Sequence, residues 1–321
     1  MDRRRRRARA LGLAAALVGG AALAADAGPP LRAMRWVPRD ADPVRVFATQ
    51  PGECLRLPRD SAAALSVEVG RAAFRTPVLL GGQAARAGLS CESCHRAGRD
   101  NPDFQFPGAS GAPGTADVTL SLFSSHRGNG VHDPKPIPDL SGPRDRLKVA
   151  PADRPKFIHG LVAEEFDGPE PTPAVLAGLV AYVDALDPAA CPRAPRMAVA
   201  PAVLMSDARR ALDAARREMA LGDRPTAVLM VAAARTRLGL IDERYAALPA
   251  ERQHLRNADA GLAALQAAIR EGGPGAAADL DRWLAAAPAL EAALGAREPL
   301  SLFNPHRLAR ATNRRLPANR S

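Results

Sequence analysis

Aromatic side chains make up only 4% of this 321-residue chain, and no stretch alternates β-branched with polar residues. Sheet sandwiches and barrels rely on both features, so both architectures are disfavoured. Cysteine is rare: Cys54, Cys91, Cys94 and Cys191 are the whole set. With one Cys-x-x-Cys pair and no second, a four-cysteine zinc site is excluded. Methionine is missing between Cys94 and the helical segment that ends near Leu186; the nearest are Met34 and Met197. Beyond the N-terminus, no apolar run is long and pure enough to span a bilayer.

What the chain has instead is alanine, leucine and arginine. Hydrophobic residues reach 47%, enough for a sizeable core, and the length suits two domains. Alanine loses no side-chain entropy in a helix, so the bias points to an all-α protein. The net charge of +10 overstates the basicity of the mature protein. Residues 1–24 begin with Arg3 to Arg7 and Arg9, continue as an apolar run from Leu11, and end in Ala22-Leu23-Ala24. That order reads as a cleaved secretory signal peptide, with an uncleaved anchor as the alternative. Its removal takes six Arg and one Asp, which lowers the net charge to +5. This value suits an acidic redox partner or a membrane surface, and nothing singles out nucleic acid. Export to the periplasm also permits disulfides, and Cys54 and Cys191 form an even remainder once Cys91 and Cys94 are assigned.

Four regions follow from composition. Residues 1–24 are the signal peptide and residues 25–60 an irregular Pro- and Arg-rich segment. Residues 61–195 form the first domain, and residues 196–321 an Ala-rich helical domain with an arginine-rich tail. In the first domain a helix is predicted from Ser61 to Phe74, with Ser61 as N-cap and Leu65, Val69 and Ala72 on one face. Residues 97–145 hold seven Gly and seven Pro, so no regular element persists there. From Pro173 a helix is predicted with Leu176, Leu179, Val180, Val183 and Leu186 along one face, stopped by Asp187-Pro188. Four further helices, roughly 202–221, 225–246, 250–271 and 275–295, have short connections and suggest a small antiparallel bundle.

The strongest chemical signal is Cys91-Glu92-Ser93-Cys94-His95. Two cysteines two residues apart, followed by histidine, read as the attachment site of one covalent haem c. One turn presents both sulfurs to the vinyl edges of the porphyrin, and the histidine then lies beneath the iron as proximal ligand. A redox dithiol would need a βαβ setting, which is absent.

The flanks of this motif carry a resemblance. Gly70-Arg71-Ala72-Ala73-Phe74, Leu79-Leu80-Gly81-Gly82 and Gly88-Leu89-Ser90-Cys91 resemble the approach to haem in the dihaem cytochrome c peroxidase family. That family includes the haem enzyme that matures tryptophan tryptophylquinone. Ala177-Gly178-Leu179-Val180-Ala181-Tyr182-Val183-Asp184-Ala185-Leu186 is similar to the last helix of cytochrome c domains. The resemblance covers about residues 61–190. It implies a cytochrome c-like haem domain with long irregular loops, whose first and last helices cross with Gly70 or Phe74 near Tyr182. Because the ends of such a domain come together, it also implies a disulfide between Cys54 and Cys191. Those peroxidases carry two haems; this chain has one attachment motif and resembles one half of such an enzyme.

The second axial position is open. His159 precedes the final helix of the haem domain, where cytochromes commonly place the distal ligand; His132 and His126 are the other histidines in the window, and a five-coordinate iron is the remaining option. Glu164 and Glu165 follow His159, and a carboxylate over an open haem face could move protons, the ground for a catalytic reading of this pair. Arg127 is a candidate partner for a haem propionate. Trp36 and Trp283 read as core residues. Three functions compete: electron transfer with a redox protein partner, a peroxidase-like haem enzyme using an external electron donor, and docking through the helical domain or its tail.

Overall fold

The computed structural model describes residues 29–119, 122–126, 128–142, 149–193 and 196–313. Residues 1–24, expected from sequence to be a signal peptide, Arg127 and the end of the arginine-rich tail lie outside them. The chain is all-α. Its helices run in order α1 (Pro43–Phe47), α2 (Ser61–Phe74), α3 (Gly82–Ala87), α4 (Cys91–Cys94), α5 (Arg154–Gly160), α6 (Pro173–Ala185), α7 (Pro201–Ala220), α8 (Arg224–Arg244), α9 (Pro249–Glu271), α10 (Ala276–Arg297) and α11 (Pro305–Asn313). Two small antiparallel pairs complete the described elements: β1 (Thr49–Pro51) with β4 (Arg196–Ala198), and β2 (Thr115–Ala116) with β3 (Lys135–Pro136). No described helix is long and apolar enough to cross a membrane.

α2 spans the predicted Ser61–Phe74, but its cap lies one residue earlier than expected. Asp60, not Ser61, is the N-cap: its carboxylate accepts hydrogen bonds from Ala62 N and Ala63 N at 3.0 and 2.8 Å. A carboxylate satisfies two of the orphan amides and also sits favourably on the positive end of the helix dipole. α2 and α6 cross at two glycines. A Cβ on Gly70 would meet the carbonyl oxygen of Gly178 at 1.8 Å, so the backbones touch and neither position tolerates a side chain. Phe74 and Tyr182 pack one turn further on, ring centroids 5.1 Å apart.

This crossing turns α6 relative to the predicted face. The buried residues are Val175, Gly178, Leu179 and Tyr182, while Leu176, Val180 and Val183 are only partly covered. Leu179 and Leu186 of the predicted stripe are buried; the apolar count along α6 is high all round, so periodicity placed the stripe only in part, and Gly178 decides it by admitting α2. The 25–60 segment is also more ordered than expected. It contains a 3-10 turn (Arg32–Trp36), α1 and β1, and Asp42 caps α1 through Val44 N and Arg45 N. Its end is tied down three times over. β1 pairs with β4 in the register Thr49↔Ala198, Leu55 bridges to Leu186, and Cys54 is disulfide-bonded to Cys191.

In the C-terminal half, α7 packs on α8, α8 on α9, α9 on α10, and α10 closes back on α7. Left-handed glycines end α7 and α9, Gly222 at φ 82° and Gly272 at φ 75°. α8 is opened by Asp223, whose carboxylate accepts from Thr226 N at 3.0 Å. The buried face of this bundle is continuous with that of α2 and α6, because α2 lies against both α7 and α8. The segment after Glu298, read from sequence as a tail, forms α11 over its first part. Leu308 is fully buried there beside Leu31, Val46 and Phe47, so the C-terminus folds back on the N-terminal segment.

Candidate functional site

α4 is a single turn, and a single turn sorts its residues. Positions 91, 94 and 95 share one side, positions 92, 93 and 96 the other. The turn is held at its start by Ser93 Oγ, which accepts from Ser90 N at 3.0 Å, and by Ser90 O, which accepts from Ser93 N at 2.9 Å. Immediately after it the chain reverses through Ala97 and Gly98, both at positive φ (54° and 72°). A Cβ at Gly98 would press Leu186 at 2.6 Å, so this reversal needs glycine for space as well as for torsion.

Cys91 and Cys94 are not bonded to each other, and both lie against an apolar patch formed by Trp36, Leu89, Phe104 and Phe123. A line of rings extends this patch: Trp36 to Phe106 at 6.2 Å, Phe106 to Phe123 at 5.2 Å, and Phe123 to Phe166 at 5.4 Å. Burial pushes both thiols up to about 12. They are protonated at neutral pH, the opposite of the low-pKa thiolate a redox dithiol needs.

His95 is oriented from behind. Its Nδ1 lies 3.0 Å from the carbonyl oxygen of Pro138. A carbonyl only accepts, so Nδ1 carries the proton and Nε2 keeps its lone pair. Burial pushes the imidazole down to about 4, the Pro138 carbonyl and Asp139 opposing the shift only in part. The ring is therefore neutral at pH 7, which is the form that ligates metal. The Pro138–Asp139 segment is itself fixed, since Arg99 Nε donates to Asp139 Oδ2 at 2.7 Å and Ser141 Oγ to Asp139 Oδ1 at 2.7 Å. Phe74 faces the His95 ring at 6.3 Å between centroids.

On the opposite side, Glu92 is gripped by two arginines. Arg75 Nε, at the end of α2, stands 3.1 Å from Glu92 Oε1, and Arg237 Nη1, on α8, stands 3.2 Å from Glu92 Oε2. Arg237 also donates to the carbonyl of Arg75 at 2.6 Å. Arg75 continues to Glu53 (2.8 Å) and Asp207 (3.0 Å), and Tyr182 Oη donates to Glu53 Oε1 at 2.7 Å. Arg75 and Arg237 are 6% and 5% exposed, so these charges are held where water does not screen them. Only tight mutual pairing makes such burial tolerable.

The other candidates from sequence are more scattered. His159, on α5, has Nε2 at 2.9 Å from both carboxylate oxygens of Glu170, at the surface. His126 is exposed, its Nε2 3.9 Å from Asp167 Oδ1, and His132 lies exposed in the loop before β3. Among the described residues, no recorded contact joins any of these three rings to Cys91, Cys94 or His95. Glu164 and Glu165 divide: both lie in a π-turn, Leu161–Glu165, that continues α5, but Glu164 is exposed and Glu165 is buried. The backbone carbonyl of Glu164 accepts from the Ser124 hydroxyl. The residues that sequence reasoning missed are Pro138, Arg75 and Arg237. Glu92, inside the motif and unable to serve as a ligand there, was the one signal that a cation must face it. Trp283, read as a core residue, donates from Nε1 to Ala258 O at 3.1 Å and ties α10 to α9.

The residues fit a covalent haem on three counts. Two protonated thiols share one face, a neutral imidazole beside them has a free Nε2, and apolar rings line the same side. No family model, characterised protein or solved structure matches this chain.

Proposed function

We propose that the chain is an exported c-type cytochrome that carries one haem on Cys91 and Cys94, takes His95 as proximal ligand, and transfers electrons in the periplasm. The observation that carries this reading is the His95–Pro138 hydrogen bond. A histidine whose Nδ1 is committed to a backbone carbonyl presents Nε2 in one tautomer and one orientation, as an axial ligand requires. Bound there, the haem would supply one reversible electron between ferric and ferrous iron. The protein's own residues do the rest. Cys91 and Cys94 would hold the group covalently; Phe74, Phe104, Phe106 and Phe123 exclude water; Glu92, held by Arg75 and Arg237, stops the attachment turn from rotating. A low reorganisation cost follows from such rigidity, and electron transfer asks nothing further of the site.

A second reading, a peroxidase-like enzyme with an external donor, draws on one observation. Glu165 is buried in a π-turn, a distortion common at functional sites, and the adjoining Phe166 belongs to the aromatic line beside the thiols. A carboxyl placed so could pass protons at an open iron position.

Acid extraction into organic solvent, followed by intact mass, tests attachment. The haem stays with the polypeptide and adds the mass of one group; haem in the organic phase overturns the reading. Peroxide with a reduced donor then separates the two functions. Stoichiometric one-electron oxidation without turnover supports the carrier, and sustained turnover supports the enzyme.

A further inference from the structure

Behind α4, on the side away from the thiols and His95, a cleft runs between the attachment turn, the N-terminal segment and α8. It offers about 180 Å³ to solvent-sized occupants. An apolar cavity of about 150 Å³ admits a benzene ring, so the cleft has room for a single-ring molecule. One wall is apolar, with Trp36, Phe47 and Leu240. The other carries arginines, and their pairing is uneven. Arg75 and Arg237 are matched by Glu92, Glu53 and Asp207. Arg32, Arg96 and Arg244 remain, none of them in an ion pair among the described residues; the lining as a whole sets five arginines against three acids, Glu92, Asp207 and Glu243, an excess of two positive charges.

Arg96 and Arg244 are the informative pair. Arg96 donates to the Thr49 carbonyl at 3.1 Å, and Arg244 to the carbonyls of Phe47 and Leu302 at 2.8 and 3.3 Å. Among the described residues no carboxylate hydrogen-bonds either guanidinium. Burial pulls Arg244 down to about 10, with Arg96 adding to the shift and Glu243 opposing it. Two desolvated cations that repel each other are relieved by an anion between them, and guanidinium matches a carboxylate with paired hydrogen bonds.

We propose that this cleft is a binding site for a small organic carboxylate, its carboxylate held by Arg96 and Arg244 and its apolar body by Trp36, Phe47 and Leu240. Inorganic phosphate would answer the charge but leave the apolar wall bare; a neutral ring would do the reverse. The site stands apart from the haem reading, because it uses the face of α4 that Cys91, Cys94 and His95 do not.

Calorimetric titration of the full chain with benzoate, benzyl alcohol and inorganic phosphate tests it. Benzoate saturates one site, and benzyl alcohol binds at least about tenfold more weakly, having lost the charge-assisted bonds. Arg96→Gln weakens benzoate about tenfold or more. Leu240→Trp fills the cleft, leaves both arginines and abolishes binding. Each variant is read only with a native melting profile, and Arg96→Lys replaces Arg96→Gln if the latter does not fold; it keeps the charge, loses the fork, and weakens benzoate by a smaller factor. No benzoate binding up to about 10 mM overturns the proposal. So does benzyl alcohol binding as tightly as benzoate, phosphate binding more tightly than benzoate, or undiminished benzoate binding in Leu240→Trp.

Discussion

In α7–α10 most buried positions are aliphatic, such as Leu204, Met205, Ala208, Leu212 and Met230, and the connections are three or four residues long. Around α4 the buried set is small and aromatic, and the chain between Gly98 and Pro151 has only two paired elements of two residues each among those described. There, order depends on point fixtures: a disulfide, a glycine crossing, a histidine on a carbonyl, and a chain of buried ion pairs. The bundle distributes its stability over many interchangeable apolar contacts. The α4 region concentrates it in a few contacts that have no substitutes. A turn that holds one imidazole and two thiols in a fixed geometry gains more from the second strategy.

Four measurements break or sharpen that contrast, the largest effect first. Replacing Cys54 and Cys191 together by alanine removes a bridge across a sequence separation of 137 residues and lowers stability by about 4–5 kcal/mol on the chain-entropy model. Amide exchange then rises in β1, α2 and α6 before it rises in α7–α10. Simultaneous loss of protection in both regions would show one cooperative unit and erase the contrast.

Gly70→Ala places a methyl against the Gly178 carbonyl, which is backbone and has nowhere to move. A loss of about 3 kcal/mol, the upper end of overpacking costs, is expected in denaturant melts. A neutral result would mean that the α2–α6 crossing is looser than drawn.

Acid tests the ion-pair chain. Burial by itself would raise the Asp207 carboxyl, but Arg75, then Arg237 and Arg71, outweigh it and pull it down to about 2. A folded pKa below the unfolded one stabilises the protein above the unfolded value, near pH 4, and that stability is lost as pH falls from about 4 to about 2. The contribution is about 2 kcal/mol and should disappear in Asp207→Asn, whose loss of stability through that window is smaller by that amount. An unchanged acid limb in the variant would remove Asp207 from the account.

The smallest effect lies in the bundle and has the opposite sign. Gly239 is exposed inside α8, with open space where a Cβ would sit. Gly239→Ala should therefore stabilise by about 0.5–1 kcal/mol, read as a higher melting temperature. Two glycine-to-alanine changes of opposite sign, one in each region, state the comparison in its simplest form.

Much of the bundle was legible. The predicted helices at 202–221, 225–246, 250–271 and 275–295 differ from α7–α10 by two residues at most at any end. Alanine-rich helices with Gly and Pro between them announce themselves through local torsional preference, which needs no partner. The tail was misread for the converse reason: Leu308 is one apolar residue among arginines, and only the N-terminal segment it covers makes it core. For α6, whose apolar residues surround the helix, local pattern was silent about which stripe is buried.

The candidate site divides along the same line. By itself the sequence determined that Cys91, Cys94 and His95 share a face, because three and four residues of helix are fixed by covalent geometry. It determined that Glu92 and Ser93 point the other way, and that no methionine lies in the stretch from Cys94 to Leu186. The tertiary structure decided what faces them. It set Pro138, 43 residues beyond His95, behind the imidazole, and Arg237, 145 residues beyond Glu92, against its carboxylate. It turned His159 to Glu170, and it left Arg96 and Arg244 near enough to repel each other, with carbonyls as their hydrogen-bond partners among the described residues. Spacing along one turn is a property of the backbone alone. Which cation, carbonyl or glycine meets that turn depends on where a distant part of the chain returns, and that is settled by burial and pairing summed over the whole fold.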